Sequence, residues 1–216
     1  MKRVIFFALI TLFTLTACIV VRGSGDVVTE ERNVSGFDRV ELHGSGKLIL
    51  AQGSAEALTV EAEDNLMKYI ETDVRGNTLM LGFEDGVIVQ TRKPIIFYLT
   101  MVDIAGVDVS GTGDVEAARV ETDRLDIGIS GSGSVDIAGQ STEQTVRING
   151  SGKYNANEME SEITTIDVSG SGEAAVWVTD QLTVDISGSG DVQYYGNPRI
   201  MQEISGSGSI EGIDGR

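Results

Sequence analysis

The sequence predicts an all-β chain folded as a single-stranded parallel β-helix, a solenoid expected to be right-handed with about 18–20 residues per coil. One observation is a tetrad of the form x-Gly-Ser/Thr-Gly that begins at His43, Ser110, Ser130, Asn149, Ser169, Ser187 and Ser205, with steps of 20, 19, 20, 18 and 18 residues from the second copy on. A fixed period of this size marks a repeat that buries its apolar face only against its neighbours. The second observation is alternation: Leu125, Ile127 and Ile129 precede Ser130 and Val135 and Ile137 follow it, and the same period of two flanks the tetrads at Ser169 and Ser187. That period belongs to a strand with one buried face. The third is composition: 27 glycines, 2 prolines and 6% aromatics favour stacked strands over helices.

Each tetrad reads as a corner. Two glycines suit a bend where the backbone takes positive φ and where successive coils pass too closely for a Cβ. Asn149 leads one copy, and Asn tolerates such geometry best among the other residues. The central Ser or Thr can bond main chain in its own turn or in the adjacent coil. A flexible Gly-Ser linker would be flanked by further polar residues, whereas Val and Ile flank these tetrads.

Residues 1–17 read as a signal peptide, with Lys2 and Arg3 before a short apolar run from Val4 to Leu15. Leu15-Thr16-Ala17-Cys18 resembles the bacterial lipobox, in which the cysteine is acylated, and Cys18 is the chain's one cysteine. Ile19, where an inner-membrane retention signal would place Asp, points to the outer membrane. Cleavage before Cys18 removes Lys2 and Arg3 and takes the formal charge from −17 to −19. Such a surface argues against nucleic acid and anionic headgroups as partners, leaving the acyl anchor to hold the protein to its membrane. Residues 18–31 are expected to be a tether.

The body then spans 32–213. Val40, Leu42, Leu48 and Leu50 place strands around the first tetrad; Asp64 could cap a helical turn; Val74 to Phe83 reads as a hairpin through Gly76-Asn77; and Pro94 to Leu99 reads as a buried strand. This half is expected to begin the same stack with wider insertions, and the regular coils to run from about Val102 to Ile213.

The opening Val34-Ser35-Gly36-Phe37-Asp38-Arg39-Val40, the serial corners and the closing Asp191 to Pro198 with Ile204-Ser205-Gly206-Ser207-Gly208 resemble the putative auto-transporter adhesin, head GIN domain family. The resemblance implies an exported bacterial β-helix and brings no catalytic residues with it.

One histidine and one cysteine rule out Cys-His and multi-His metal sites within the chain, and no nucleophile-elbow pattern is present. His43 reads as a corner residue. If the corners stack, Glu41, Asp108, Gly128, Arg147, Asp167, Asp185 and Glu203 form one outward column, and Lys47, Asp114, Ser134, Lys153, Glu173, Asp191 and Ser209 another. Like charges about 4.8 Å apart in water repel by only ~0.9 kcal/mol, so a solvated acidic face needs no ligand. The sharper alternative is a divalent cation between Asp167/Glu173 and Asp185/Asp191. Trp177, set outward by alternation, and Tyr195 are the candidate ligand contacts, suited to stacking on sugar rings.

The expected function is therefore a lipid-anchored envelope binding or scaffold protein, adhesin-like, without catalysis or cofactor, whose partner is an envelope protein or glycan and which could form a homo-oligomer. The alternatives are a polysaccharide-active enzyme, which would need Arg147 and Lys153 beside carboxylates in one groove, and a divalent-cation-binding protein.

Overall fold

A computed structural model describes residues 19–84 and 86–213. Strands β1 (Ile19–Arg22) and β2 (Val27–Arg32) lead to β3 (Arg39–Gly44) and β4 (Lys47–Gln52), which flank the first tetrad. Next come β5 (Ala57–Glu63), a 3-10 turn (Met67–Tyr69), β6 (Ile70–Arg75), β7 (Thr78–Phe83), β8 (Val87–Gln90) and β9 (Ile96–Met101). From β10 (Gly106–Gly111) the chain winds through β11 (Asp114–Gly131), β12 (Ser134–Gly150), β13 (Lys153–Gly170) and β14 (Glu173–Gly188), and it closes with β15 (Asp191–Tyr195), β16 (Arg199–Gly206) and β17 (Ser209–Gly212). From β10 to the end all pairings are parallel. The fold is the parallel β-helix that the repeat implies.

The corners lie directly above one another. His43 pairs with Ser110, and Ser110, Ser130, Asn149, Ser169, Ser187 and Ser205 follow in register. The first glycine of each corner from Gly111 to Gly206 has φ between +115° and +138°. Its carbonyl accepts the N–H of the middle residue one coil on, as in Ser132 N–H to Gly111 O at 2.8 Å and Ser151 N–H to Gly131 O at 2.8 Å. A Cβ on Gly150 would stand 2.5 Å from the oxygen of Gly131, so both dihedral and space demand glycine there. The second glycine answers to the core instead: a Cβ on Gly172 would stand 2.4 Å from Ile148 Cγ2.

Inward columns fill the tube. Leu125, Ile127, Ile129, Val135 and Ile137 of one coil are all buried, and at roughly 1.5–3 kcal/mol per aliphatic side chain they carry that coil's stability. The coil closes through irregularities that the tetrads do not mark. Register shifts fall between Ala117 and Val120 and between Asp136 and Ala138, where Arg119 takes φ +61° and Gly139 φ +142°. Such bulges bend a strand. Pairing is interrupted again at Asp123, Thr142 and Glu162, which makes a third corner.

The N-terminal part departs from what its sequence suggests. The segment expected as a tether holds two strands: β1 pairs in parallel with β8, and β2 pairs antiparallel with β5. The buried Glu63 carboxylate fixes it, accepting N–H bonds from Gly25 at 2.7 Å, Arg92 at 2.8 Å and Lys93 at 3.4 Å. Burial alone pushes this carboxyl up; the three N–H donors and the Arg92 charge outweigh it and hold it below the ordinary value. Asp64 does not cap the short helix, whose N-cap is Leu66; its Oδ1 accepts from Ser24 Oγ at 2.5 Å and from Asn65 N–H at 2.6 Å. The hairpin through Gly76-Asn77 forms as β6 and β7. The strand at 94–99 is buried on one face only, with Phe97 and Leu99 inside and Tyr98 40% exposed. Stack order also differs from chain order. β3 and β4 lie between β7 and β9 on one side and β10 and the start of β11 on the other.

Signal residues 1–17 and Cys18 lie outside the described residues. Among the described residues no helix is long and apolar enough to cross a membrane.

Candidate functional site

Both predicted outward columns form in register, each running the length of the repeat region. They flank the glycine corner on a surface of local ion pairs and hydrogen bonds. Lys153 Nζ meets Glu173 Oε2 at 2.8 Å, Lys47 Nζ meets Glu116 Oε1 at 2.6 Å, and Ser209 Oγ donates to Asp191 Oδ1 at 2.6 Å. His43 Nε2 lies 3.2 Å from Glu41 Oε1 at the first corner. Arg39 reaches across its neighbours to Asp126 at 3.0 Å and Asp108 at 3.7 Å. Burial raises the Asp108 carboxyl above its ordinary value, and Arg39 offsets only part of that.

Asp167 pairs with Asp185 and Glu173 with Asp191, but the glycine corner separates the two pairs. Among the described residues no group of three or more His, Cys, Asp or Glu side chains is placed to hold a metal ion. Arg147 stands in the Asp167 column before the corner and Lys153 in the Glu173 column after it. The cations that an enzymatic reading required are thus placed on either side of the glycine corner.

A concave surface lies at the third corner, which no sequence marker announced. A groove of about 660 Å³ runs across successive coils there, lined by residues that include Asp103, Glu121, Asp123, Gln140, Glu160 and Glu162, with Ser141 and Ser161 also contributing. The interior beside it is polar. Buried Ser161 Oγ lies 2.7 Å from Thr164 Oγ1 and donates to the Trp177 carbonyl at 3.1 Å; Thr179 Oγ1 donates to the Ser161 carbonyl at 3.2 Å. On the same coil, buried Tyr154 donates its hydroxyl to Gln144 Oε1 of the coil before at 2.7 Å, and burial pushes that phenol far above its ordinary value. Gln144 Nε2 and Ser141 Oγ are buried without a hydrogen-bond partner. Orphaned buried polar atoms are uncommon in folded proteins, and Ser141 is part of the groove's lining.

Register extends this surface to the aromatic candidates. Glu121, Gln140, Glu160, Trp177 and Tyr195 occupy one outward position on successive coils. Trp177 is half-buried between the buried Val176 and Val178, as alternation implies, and its indole lies against Gly196, where a Cβ would meet Cδ1 at 3.4 Å. Tyr194, by contrast, packs against the core. Sequence reasoning found the aromatics but missed the groove they continue, because its lining belongs to a bend marked by mixed Thr, Ser, Asp and Glu rather than by a motif.

Residues 36–198 match the sequence profile of the putative auto-transporter adhesin, head GIN domain family. The chain belongs to that family. Membership places this head GIN domain among adhesin-like proteins of the cell surface or envelope. Its fold is that of the crystal structure of a putative adhesin from Bacteroides fragilis NCTC 9343, with 22% identity, 89% of this chain and 100% of that chain covered, and a TM-score of 0.74. It is also similar to a putative lipid binding protein from Parabacteroides distasonis ATCC 8503 (21% identity, 90% and 100% covered, TM-score 0.54). A putative adhesin from Parabacteroides merdae ATCC 43184 gives 20% identity, 91% and 100% covered, and a TM-score of 0.53. At these identities the likeness concerns the fold. No curated protein matches the chain.

Proposed function

We propose that this head GIN protein is a non-catalytic binding protein of the bacterial envelope, held at the outer membrane through an acylated Cys18, that grips an extended glycan along its third-corner groove. The observation that carries this reading is the single outward column Glu121, Gln140, Glu160, Trp177 and Tyr195 beside the groove. Carboxylates and amides repeated at the coil spacing of about 4.8 Å offer hydrogen-bond partners to successive sugar hydroxyls. An indole and a phenol at one end supply faces on which a sugar ring stacks. The acidic rim selects for neutral or cationic sugars and disfavours uronic acids. A rigid scaffold pre-organises these groups, so binding forfeits little conformational entropy.

A glycan array probed with the chain from Cys18 onward, followed by calorimetry on the best ligand, tests the reading. Trp177→Ala and Glu160→Gln are each expected to weaken binding about tenfold, equivalent to ~1.4 kcal/mol. A blank array, or hits that bind both variants as tightly as the parent, would overturn the glycan assignment.

A further inference from the structure

The strands β1 and β8 form a sheet of their own, apart from the fifteen-stranded assembly, and attach to it through Asn65 Nδ2, which donates to the Arg22 carbonyl at 2.7 Å, and through the Gly25 and Arg92 N–H groups that bond Glu63. Their sequences, Ile-Val-Val-Arg and Val-Ile-Val-Gln, contain no acidic residue. Val20 pairs with Ile88, and these side chains are 58% and 50% exposed. A two-stranded ribbon is marginal in water by itself, and an uncovered β-branched pair on it is a surface in want of a partner. Three exposed cations lie on or beside the ribbon: Arg22, whose Nε donates to Gln90 Oε1 at 3.0 Å, and Arg92 and Lys93, which follow β8 in the chain. The chain as a whole carries a formal charge of −17, so this concentration of positive charge runs against the rest of the surface. Of the carboxylates nearby, Glu63 is engaged by main-chain N–H groups and Asp64 by Ser24 and Asn65. Ile19 is bonded directly to Cys18, so no spacer separates the ribbon from the lipid attachment point.

We propose that the β1–β8 ribbon seats on the bilayer, with Val20 and Ile88 at the boundary between acyl chains and headgroups and Arg22, Arg92 and Lys93 on lipid phosphates. This rests on the reading of Cys18 as the acylated residue. The acyl chains supply attachment and the ribbon supplies orientation, because apolar side chains rimmed by cations suit the interfacial layer. The N-terminal end of the stack then lies on the membrane, and the later coils, with Trp177 and Tyr195, stand away from it.

The test uses the full chain purified with its processed N-terminus and reconstituted in vesicles containing phosphatidylglycerol and phosphatidylcholine brominated in its acyl chains. In a Trp177→Phe background, a tryptophan at Ile88→Trp is expected to lose half or more of its emission to the bromines, whereas one at Ile200→Trp, in the last coil, keeps its emission. Adding Arg22→Gln, Arg92→Gln and Lys93→Gln is expected to cut the Ile88→Trp quenching at least twofold. Equal quenching at the two positions would overturn the proposal. The mass of the N-terminal peptide separates the two readings. Acylation without quenching sinks the ribbon and leaves the anchor; quenching without acylation does the reverse; neither sinks both. Should tryptophan at 88 disturb the ribbon, hydrogen exchange on the unmutated strands decides. Amides of 19–22 and 87–90 are expected to exchange at least tenfold more slowly on vesicles than in the Cys18→Ser chain in solution, and equal rates would overturn the proposal.

Discussion

From Gly106 onward each coil repeats the geometry of the last, its corner fixed by a glycine carbonyl that accepts the next coil's N–H. Before Gly106 the chain uses antiparallel pairs, a ribbon outside the main assembly and a buried carboxylate to close the end of the tube. In the repeats, stability comes from one local solution applied many times. In the N-terminal part it comes from contacts between segments 29 to 43 residues apart that meet around Glu63 to Asn65. The two halves should therefore fail differently.

The largest contrast is expected at glycines. Gly150→Ala puts a Cβ 2.5 Å from a main-chain oxygen at φ +118°, and should cost roughly 2–5 kcal/mol of unfolding free energy in urea titrations, from left-handed strain and overpacking together. Gly36→Ala has φ +83° but open space around it, and only the strain of roughly 1–2 kcal/mol should appear. Equal costs would mean that close stacking does not govern the corner.

Next in size is the polar cell inside the repeats. Tyr154→Phe strips Gln144 of its one side-chain bond and should lower stability by about 1–3 kcal/mol. Adding Gln144→Leu should restore most of that, since Leu125 and Leu182 stand in the same inward column. A double variant no better than the single one would assign the polar pair a packing role that leucine cannot fill.

A smaller, local effect is expected at the N-terminal closure. Glu63 is held below the ordinary carboxylate value, so its contribution is complete above that value and is lost as pH falls through the lowered one. Asp108 has the opposite sign: its raised carboxyl favours the folded state more as pH falls from above its shifted value toward the ordinary one. Acidification, or Glu63→Gln at neutral pH, should thus lower the hydrogen-exchange protection factors of β1 and β8 first while the coils from β11 to β14 keep theirs. Simultaneous loss in both regions would show that the closure and the coils unfold as one. Smallest of all, Lys153→Ala breaks an exposed ion pair with Glu173 and should change the melt by less than about 0.5 kcal/mol.

The stack of corners was legible because glycine at a repeated position leaves a mark in the sequence that nothing else leaves. Once the period was known, register gave both outward columns and the outward side of Trp177. The groove was not legible. Its bend falls where pairing breaks at Asp123, Thr142 and Glu162, among ordinary polar residues at 121–123, 140–142 and 160–162 whose pattern resembles any exposed strand. The strands in 18–31 were hidden for a different reason. Val27 and Val28 do not alternate with polar residues, and the partner that orders this stretch, Glu63, looks from sequence like one acidic residue among 33.

The place of β3 and β4 bears on how the molecule is made. A layer that lies between 78–101 and 106–118 has no neighbour on either side when residues 39–52 first emerge during synthesis. It must wait, extended, until residue 118 has followed, and the long loop this closes makes it the slow step of assembly. Disassembly carries the same constraint. Heat or pulling force applied at the amino end should release residues 39–118 together, whereas the carboxyl end can peel away one layer at a time.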